Sequence, residues 1–212
     1  MKSIFYLKNV TFIFKFDIKK ALQSLGTSID ESCCATYKAC TVEDAEIIAD
    51  FYHKQNRLHY SLIESIIKQY DEGALFHALL INSEIVAGLW IHSGLVMIDS
   101  PSFYAFQQKR SDKIKFNLNV IFGSSLIVTP EFRGKHLYTY LLNNIFKYYK
   151  GSDIDTYVFT TGIDNKKMLH SSFYYGAFLI GIVKTTRLFH TFWFKKKYYF
   201  DNKGVCWKVI SK

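Results

Sequence analysis

Residues 124–142 read SSLIVTPEFRGKHLYTYLL, an apolar run that passes through a basic, glycine-containing turn into an amphipathic segment. We interpret residues 120–128 as a buried strand, which ends before Pro130 because proline cannot donate to a strand ladder. Leucines recur at helical spacing after the turn, and we expect a helix from about Gly134 to Tyr149, ended by Gly151. The stretch therefore predicts a strand, a tight turn and a helix in direct succession.

The turn between this strand and this helix is a predicted anion site. A turn of this kind directs several backbone N–H groups and the positive end of the helix dipole toward one place. Arg133 and Lys135 add positive charge beside them. A pyrophosphate group is therefore a suitable ligand for the turn.

The rest of the chain reads as further strands and helices, without internal repeats or low-complexity tracts. Residues 1–30 are interpreted as an N-terminal extension with one strand and a short amphipathic helix, and residues 31–212 as a single domain. Residues 94–119 are polar and irregular, which makes them a candidate functional loop. The order of elements predicts an α/β domain with a mixed sheet flanked by helices. We expect strands at about 10–16, 35–39, 75–81, 85–92, 156–161 and 205–210, a hairpin over 178–200, and helices near 41–52, 61–73 and 165–175.

The composition is that of a globular protein. Hydrophobic residues make up 49% of the 212 residues and aromatic residues 17%, too many for a disordered chain. Charged or polar residues interrupt every long apolar stretch, so neither a membrane-spanning helix nor a secretory signal is expected. The cysteines lack C-x-x-C spacing, so we expect reduced thiols in a cytoplasmic protein and no metal site. These cysteines are Cys33, Cys34, Cys40 and Cys206.

The strand, turn and helix at 120–149 resemble the signature of the GNAT N-acetyltransferase superfamily. In that family an apolar strand ending V-x-P is followed by R/Q-x-x-G-x-G/A and by a helix with a Leu-Leu pair. His136 and Tyr138 depart from the pattern, because the family usually has small residues at those positions. The matching residues are Val128, Pro130, Arg133, Gly134, Leu141 and Leu142.

Two further stretches extend the resemblance over residues 35–210. Residues 84–88 read EIVAG, like a strand that the family places before the signature. Downstream, Asn165 precedes FYYGAF at 173–178, where family members have an aromatic residue before a Gly-Phe pair. Aligning Ala177 and Phe178 with that pair puts Phe173 at the position of the family's frequent tyrosine, with Tyr174 one residue along. Aligning Gly176 with the glycine would shift the register by one, and both alignments stay open.

The resemblance implies a single GNAT-like domain with a V-shaped splay between its two central strands, which end near Val128 and begin near Thr156. Acetyl-CoA would be the co-substrate, and a backbone N–H near Val128 would polarise its thioester carbonyl. Asn165 would contact the cofactor or cap its own helix. The pantetheine arm would pair with the backbone of Leu126, Ile127 and Val128. The pyrophosphate would be held by the amides of Arg133, Gly134, Lys135, His136, Leu137 and Tyr138.

Three residues are candidates for proton transfer in the reaction that the resemblance implies. Tyr174 is the candidate acid for the leaving thiolate, and His170, one helical turn earlier, shares its helix face. His92, near a strand end, is a candidate base. Each also has a structural interpretation, as a packing residue or a surface residue.

The implied function is an N-acyltransferase that moves an acetyl group to the primary amine of a small molecule, amino sugar or peptide by direct attack. A GNAT-fold binding protein without catalysis is one alternative, suggested by His136 and Tyr138. A basic protein that binds nucleic acid or a membrane surface is another, suggested by the net charge of +9 and the aromatic, lysine-containing segment 188–200. We favour packing for that segment, on the sheet or at a homodimer interface, and expect no nucleic-acid partner.

Overall fold

A computed structural model describes residues 6–25, 34–93, 95–97, 113–115, 119–188, 192–200 and 208–210. The predicted α/β class is confirmed, because helices flank a mixed sheet. The helices are α1 Ile18–Leu25, α2 Ala45–Lys54, α3 Ile63–Asp71, α4 Leu137–Tyr148 and α5 Lys166–Tyr174. The strands are β1 Tyr6–Asp17, β2 Thr36–Cys40, β3 Leu75–Ile81, β4 Glu84–Ser93, β5 Leu95–Met97, β6 Lys113–Lys115, β7 Val120–Val128, β8 Thr156–Gly162, β9 Phe178–Leu188, β10 Phe192–Phe200 and β11 Lys208–Ile210.

The main sheet has eight strands in the order β10-β9-β1-β8-β7-β4-β3-β2. β7 and β8 run parallel, whereas the other neighbouring strands of the described sheet are antiparallel. α4 is the connection between the two parallel strands, as a crossover requires. None of the described helices is long and apolar enough to cross a membrane.

β1 lies inside the main sheet, between β8 and β9. Thr11 pairs with Gly162 on one side and with Val183 on the other. α1 follows directly, and its residues Ile18 and Leu25 are buried in the same cluster as α4. The described part of the expected extension is therefore an integral part of the sheet and its helix layer, while a domain boundary near residue 30 stays a prediction.

The segment expected to be irregular, 94–119, contains two short strands. β5 and β6 form a second, three-stranded sheet with β11 at the end of the chain. Residues 98–112 lie outside the described part. The hairpin expected over 178–200 is present as the antiparallel pair β9 and β10. The roles suggested for the aromatic and lysine side chains of residues 188–200 concern side chains that lie outside the described part of the structure.

Two buried clusters cover the two faces of the main sheet. The first lies beneath α1, α4 and α5 and includes Phe14, Ile121 and Tyr157. The second lies beneath α2 and α3 and includes Phe76 and Trp90. These clusters assign the strand side chains that they contain to the α4/α5 face or to the α2/α3 face.

Tyr157 on β8 leaves room for no residue other than glycine at position 123. Substitution of Gly123 therefore tests how closely the parallel strands β7 and β8 are held together. A Cβ at residue 123 would overlap the hydroxyl and ring of Tyr157, which is only 2% exposed. We expect Gly123→Ala to lower the free energy of unfolding by about 1–3 kcal/mol, measured by urea denaturation. Adding Tyr157→Phe should restore part of the loss, because it removes the closest overlapping atom. A Gly123→Ala variant as stable as the wild type would contradict this contact.

His77 on β3 is buried among aromatic rings on the α4/α5 face. Its Nδ1 lies 2.6 Å from the hydroxyl of Tyr37, and the rings of Tyr148 and Tyr149 pack against it. Nε2 has no hydrogen-bond partner among the described residues. Burial lowers the pKa of His77 to about 3, from an ordinary value of 6.5.

This burial makes the stability of the fold depend on pH. The unfolded chain takes up a proton on His77 below pH 6.5, whereas the folded chain does so only near pH 3. Stability is therefore highest above pH 6.5 and falls as the pH falls, by up to about 1.4 kcal/mol per pH unit for this group. His77→Gln can still bond to Tyr37 but does not titrate, so its unfolding free energy should fall less steeply between pH 6.5 and 4. If the unfolding free energies of the two proteins fell equally steeply with pH, the pKa of His77 would be the same in the folded and the unfolded chain, which would contradict its burial as a neutral group.

Candidate functional site

β7 and β8 run side by side for only part of their length. Their ladder pairs Val120 with Thr156 and ends at Gly123 and Phe159. Beyond this point β7 continues to pair with β4, and β8 with β1. The facing edges of residues 124–128 and 160–162 therefore separate, and we call this opening the fork. The fork corresponds to the splay expected between the two central strands.

A bulge in β7 lies where the fork opens. Gly88 pairs with Ile127 and Trp90 with Ser124, so β7 has one residue more than β4 over this interval. Ser125 has a φ of 55°, a left-handed conformation that costs a residue with a side chain about 1–2 kcal/mol. Bulges are common beside active sites because they turn peptide groups out of the ladder.

The turn predicted to bind an anion follows the fork directly. The amide of Thr129 donates to the carbonyl of Val86 at 2.9 Å, which fixes the end of β7. A short 3₁₀ helix, Pro130–Phe132, leads into the left-handed residues Gly134 and His136, with φ of 82° and 56°. The amides of residues 134–139 donate no backbone hydrogen bond to any described residue. They include the first amides of α4, where the helix dipole is positive.

Residues 133–136 of the turn are exposed, whereas Leu137 and Thr139 are buried. Nε of Arg133 donates to the carbonyl of Val128 at 3.1 Å, which places a guanidinium at the open end of the fork. The ammonium of Lys135 lies 4.8 Å from the ring centre of Phe132. Tyr138 turns into the protein, and its buried hydroxyl has no described partner. Burial, then the neighbouring Tyr157, raise the pKa of Tyr138 well above its ordinary value.

α5 approaches the same turn from its C-terminal end. Asn165 caps the helix, with its side chain accepting from the amide of Met168 at 3.2 Å. Phe173 packs edge-on against Phe14. The hydroxyl of Tyr175 lies 3.5 Å from Nδ1 of His136. The tyrosine that contacts the turn is therefore Tyr175, and sequence reasoning missed it because the contact joins two separate helices.

Solved structures share this arrangement of sheet and helices, although no family model and no curated protein matches the sequence. A conserved protein of unknown function from Staphylococcus epidermidis superposes with a TM-score of 0.55, at 11% identity over 88% of this chain and 64% of that one. A Drosophila protein gives 0.53, at 11% identity over 86% and 52%. A tandem GNAT protein from the clavulanic acid biosynthesis pathway also gives 0.53, at 11% identity over 84% and 51%. The chain has the GNAT fold. It spans between 51% and 64% of the length of these three structures.

In this GNAT fold, His92 lies on the opposite face of the sheet from the turn. Its Nε2 is 2.8 Å from the hydroxyl oxygen of Ser124 on β7. Ser124 pairs with Trp90, which is buried beneath α2 and α3, so the side chains of Ser124 and of its partner His92 both point to the α2/α3 face. Burial lowers the pKa of His92 to about 4, and the imidazole is therefore neutral at neutral pH.

The three predicted proton-transfer residues do not form one cluster. His170 and Tyr174 stack on α5, with ring centroids 6.4 Å apart, and Tyr174 is 74% exposed. His92 lies across the sheet from them. The structure does bring the predicted cofactor-binding residues together, since 126–128 form the fork edge and 133–138 the adjoining turn. Their roles in binding stay predictions.

The left-handed residues of the turn provide a matched pair of substitutions. His136→Gly should raise the free energy of unfolding by about 1 kcal/mol, because glycine adopts a positive φ without strain. Gly134→Ala should lower it by a similar amount through backbone strain alone, because its Cβ would meet no atom within 4 Å. Thermal or urea denaturation measures both. A destabilised His136→Gly variant would show that the contact with Tyr175 outweighs the strain.

Proposed function

We propose that the chain is an N-acyltransferase that transfers an acetyl group from acetyl-CoA to a primary amine by direct attack. The observation that carries the proposal is the fork placed directly before a turn whose amides at 134–139 lack backbone partners. An extended arm that ends in a pyrophosphate fits this combination, because the edge of β7 can accept another strand and the turn can accept an anion.

The residues of the fork and turn suit the separate parts of acetyl-CoA. In the proposal, the backbone of Leu126, Ile127 and Val128 pairs with the pantetheine amides. The amides of residues 133–138 hold the pyrophosphate, and Arg133 and Lys135 add positive charge. Since Asn165 already caps α5, its contact with the cofactor would need its amide nitrogen, because the oxygen is engaged.

The bulge at Ser125 supports a specific position for the thioester. The resemblance implies a polarising N–H near Val128, but the ladder is broken three residues earlier, where the fork opens. We propose that a peptide N–H at this bulge donates to the thioester oxygen as negative charge develops there. The fixed orientation of that group needs no reorganisation during the reaction.

The two faces of the sheet separate the two substrates. The turn, α4 and α5 lie on one face, so the cofactor enters the fork from that side. The acceptor amine then approaches from the α2/α3 face, where His92 is the candidate base. Tyr174, His170 and the newly located Tyr175 lie on the cofactor face, where an acid for the thiolate is needed.

The acceptor class in this proposal is a small molecule, an amino sugar or a peptide amine. Loops outside the signature choose the acceptor in folds of this kind, and residues 98–112 of the chain lie outside the described part. Cytoplasmic location belongs to the proposal as well, and the free thiols of Cys34 and Cys40 are compatible with it.

Calorimetric titration with acetyl-CoA tests the cofactor site. Arg133→Glu should weaken binding by at least about tenfold, since it places a carboxylate beside the phosphates. Arg57→Glu makes the same charge change at an exposed position in the turn after α2, and it should bind as the wild type does. Absence of binding to the wild-type protein at millimolar acetyl-CoA would refute the enzyme proposal. It would favour the alternative of a GNAT-fold binding protein without catalysis.

A further inference from the structure

Ser124 and His92 form a side-chain pair that the strand ladder does not require. Nε2 of His92 lies 2.8 Å from Oγ of Ser124, and Ser124 is the first residue of β7 beyond the closed end of the fork. The imidazole packs against Phe122, with ring centroids 6.4 Å apart, which limits the positions that it can take. A hydroxyl held against an imidazole nitrogen is an arrangement that moves protons in enzymes.

The pair faces the side from which the acceptor would approach. Ser124 pairs with Trp90, and Trp90 belongs to the cluster beneath α2 and α3. The turn that would hold the cofactor phosphates lies on the other face, with α4 and α5. An amine that reaches a thioester in the fork from the α2/α3 face therefore arrives beside the Ser124 hydroxyl.

We propose that Ser124 is a catalytic residue that accepts the proton of the attacking amine while it donates its own hydroxyl proton to Nε2 of His92. This inference rests on the proposed function. The bond between the amine nitrogen and the acyl carbon forms, and the bond between that carbon and sulfur breaks. The amine proton leaves through Ser124 and His92 to solvent, and the departing thiolate takes up one proton. At the end of the cycle Ser124 again carries one hydroxyl proton, as it did at the start.

The surroundings of His92 suit this role. The transfer needs an unprotonated Nε2, and the burial that lowers the pKa of His92 to about 4 keeps the ring neutral at pH 7. In the neutral ring the proton must then reside on Nδ1.

Two substitutions of nearly equal shape test the hydroxyl directly. Ser124→Thr keeps it, whereas Ser124→Val replaces it with a methyl group. The probe reaction is thiol release from acetyl-CoA with 2,2,2-trifluoroethylamine, a primary amine that is largely uncharged at neutral pH. We expect Ser124→Val to lower the rate at saturating acetyl-CoA by at least about tenfold, and Ser124→Thr to retain most of it. Both variants should bind acetyl-CoA as tightly as the wild type in calorimetry, which separates loss of the hydroxyl from loss of the fold or the cofactor site.

His92→Leu tests the second member of the pair. It should lower the rate as Ser124→Val does, and the double variant should be no slower than either single one, because the two groups act as a unit. ¹⁵N NMR of the protein alone should show His92 with the proton on Nδ1 and an unprotonated Nε2. This measurement does not depend on catalysis.

Several results would overturn the relay. One is a Ser124→Val variant as fast as the wild type, and another is a protonated Nε2 on His92. A wild-type protein that binds acetyl-CoA but does not accelerate thiol release would also overturn it. An acetyl adduct on Ser124, detected by intact-protein mass spectrometry without amine, would show a nucleophile instead of a relay. Failure to bind acetyl-CoA would instead refute the proposed function, so the two failures are distinguishable.

Discussion

The close contact between Gly123 and Tyr157 sets the closed end of the fork. Tyr157 is fully buried among Phe16, Phe146 and Phe159, and only a residue without a side chain lets β7 pass over its hydroxyl. The two parallel strands are thus held together up to this contact and diverge after it. The edge of β7, the bulge and the turn all take their positions from the point where the strands part.

Two of the five non-glycine residues with a positive φ in the described part of the chain lie beside the site. Ser125 and His136 both have left-handed conformations, and the two residues stand at opposite ends of the segment that joins the fork to the turn. Each costs about 1–2 kcal/mol, and the buried clusters on both faces of the sheet offset this cost. Strained residues inside a well-packed framework are common at functional sites, which agrees with the function proposed for this segment.

Sequence reasoning succeeded where local chemistry determines the structure. β7 has the predicted bounds. The expected strands at 75–81 and 85–92 are joined by Asn82 and Ser83, short polar residues that tolerate a positive φ. Sequence reasoning also placed a glycine-containing turn between β7 and α4, and anion binding by that turn stays a prediction. The pairs His92–Ser124 and His136–Tyr175 could not be predicted, since they depend on strand register and on helix packing between distant segments. The burial of the Tyr138 side chain beside Tyr157 likewise depends on packing between distant segments.

The position of β1 has a consequence for how the chain folds. β1 is synthesised long before its partners β8 and β9, with Thr11 opposite Gly162 and Val183. Contacts between such distant residues slow folding, because a large loop must close before they form. Until then β8 and β9 expose unpaired edges, and such edges favour association with other chains. We therefore expect the chain to be most prone to aggregation before β1 fills its place in the sheet.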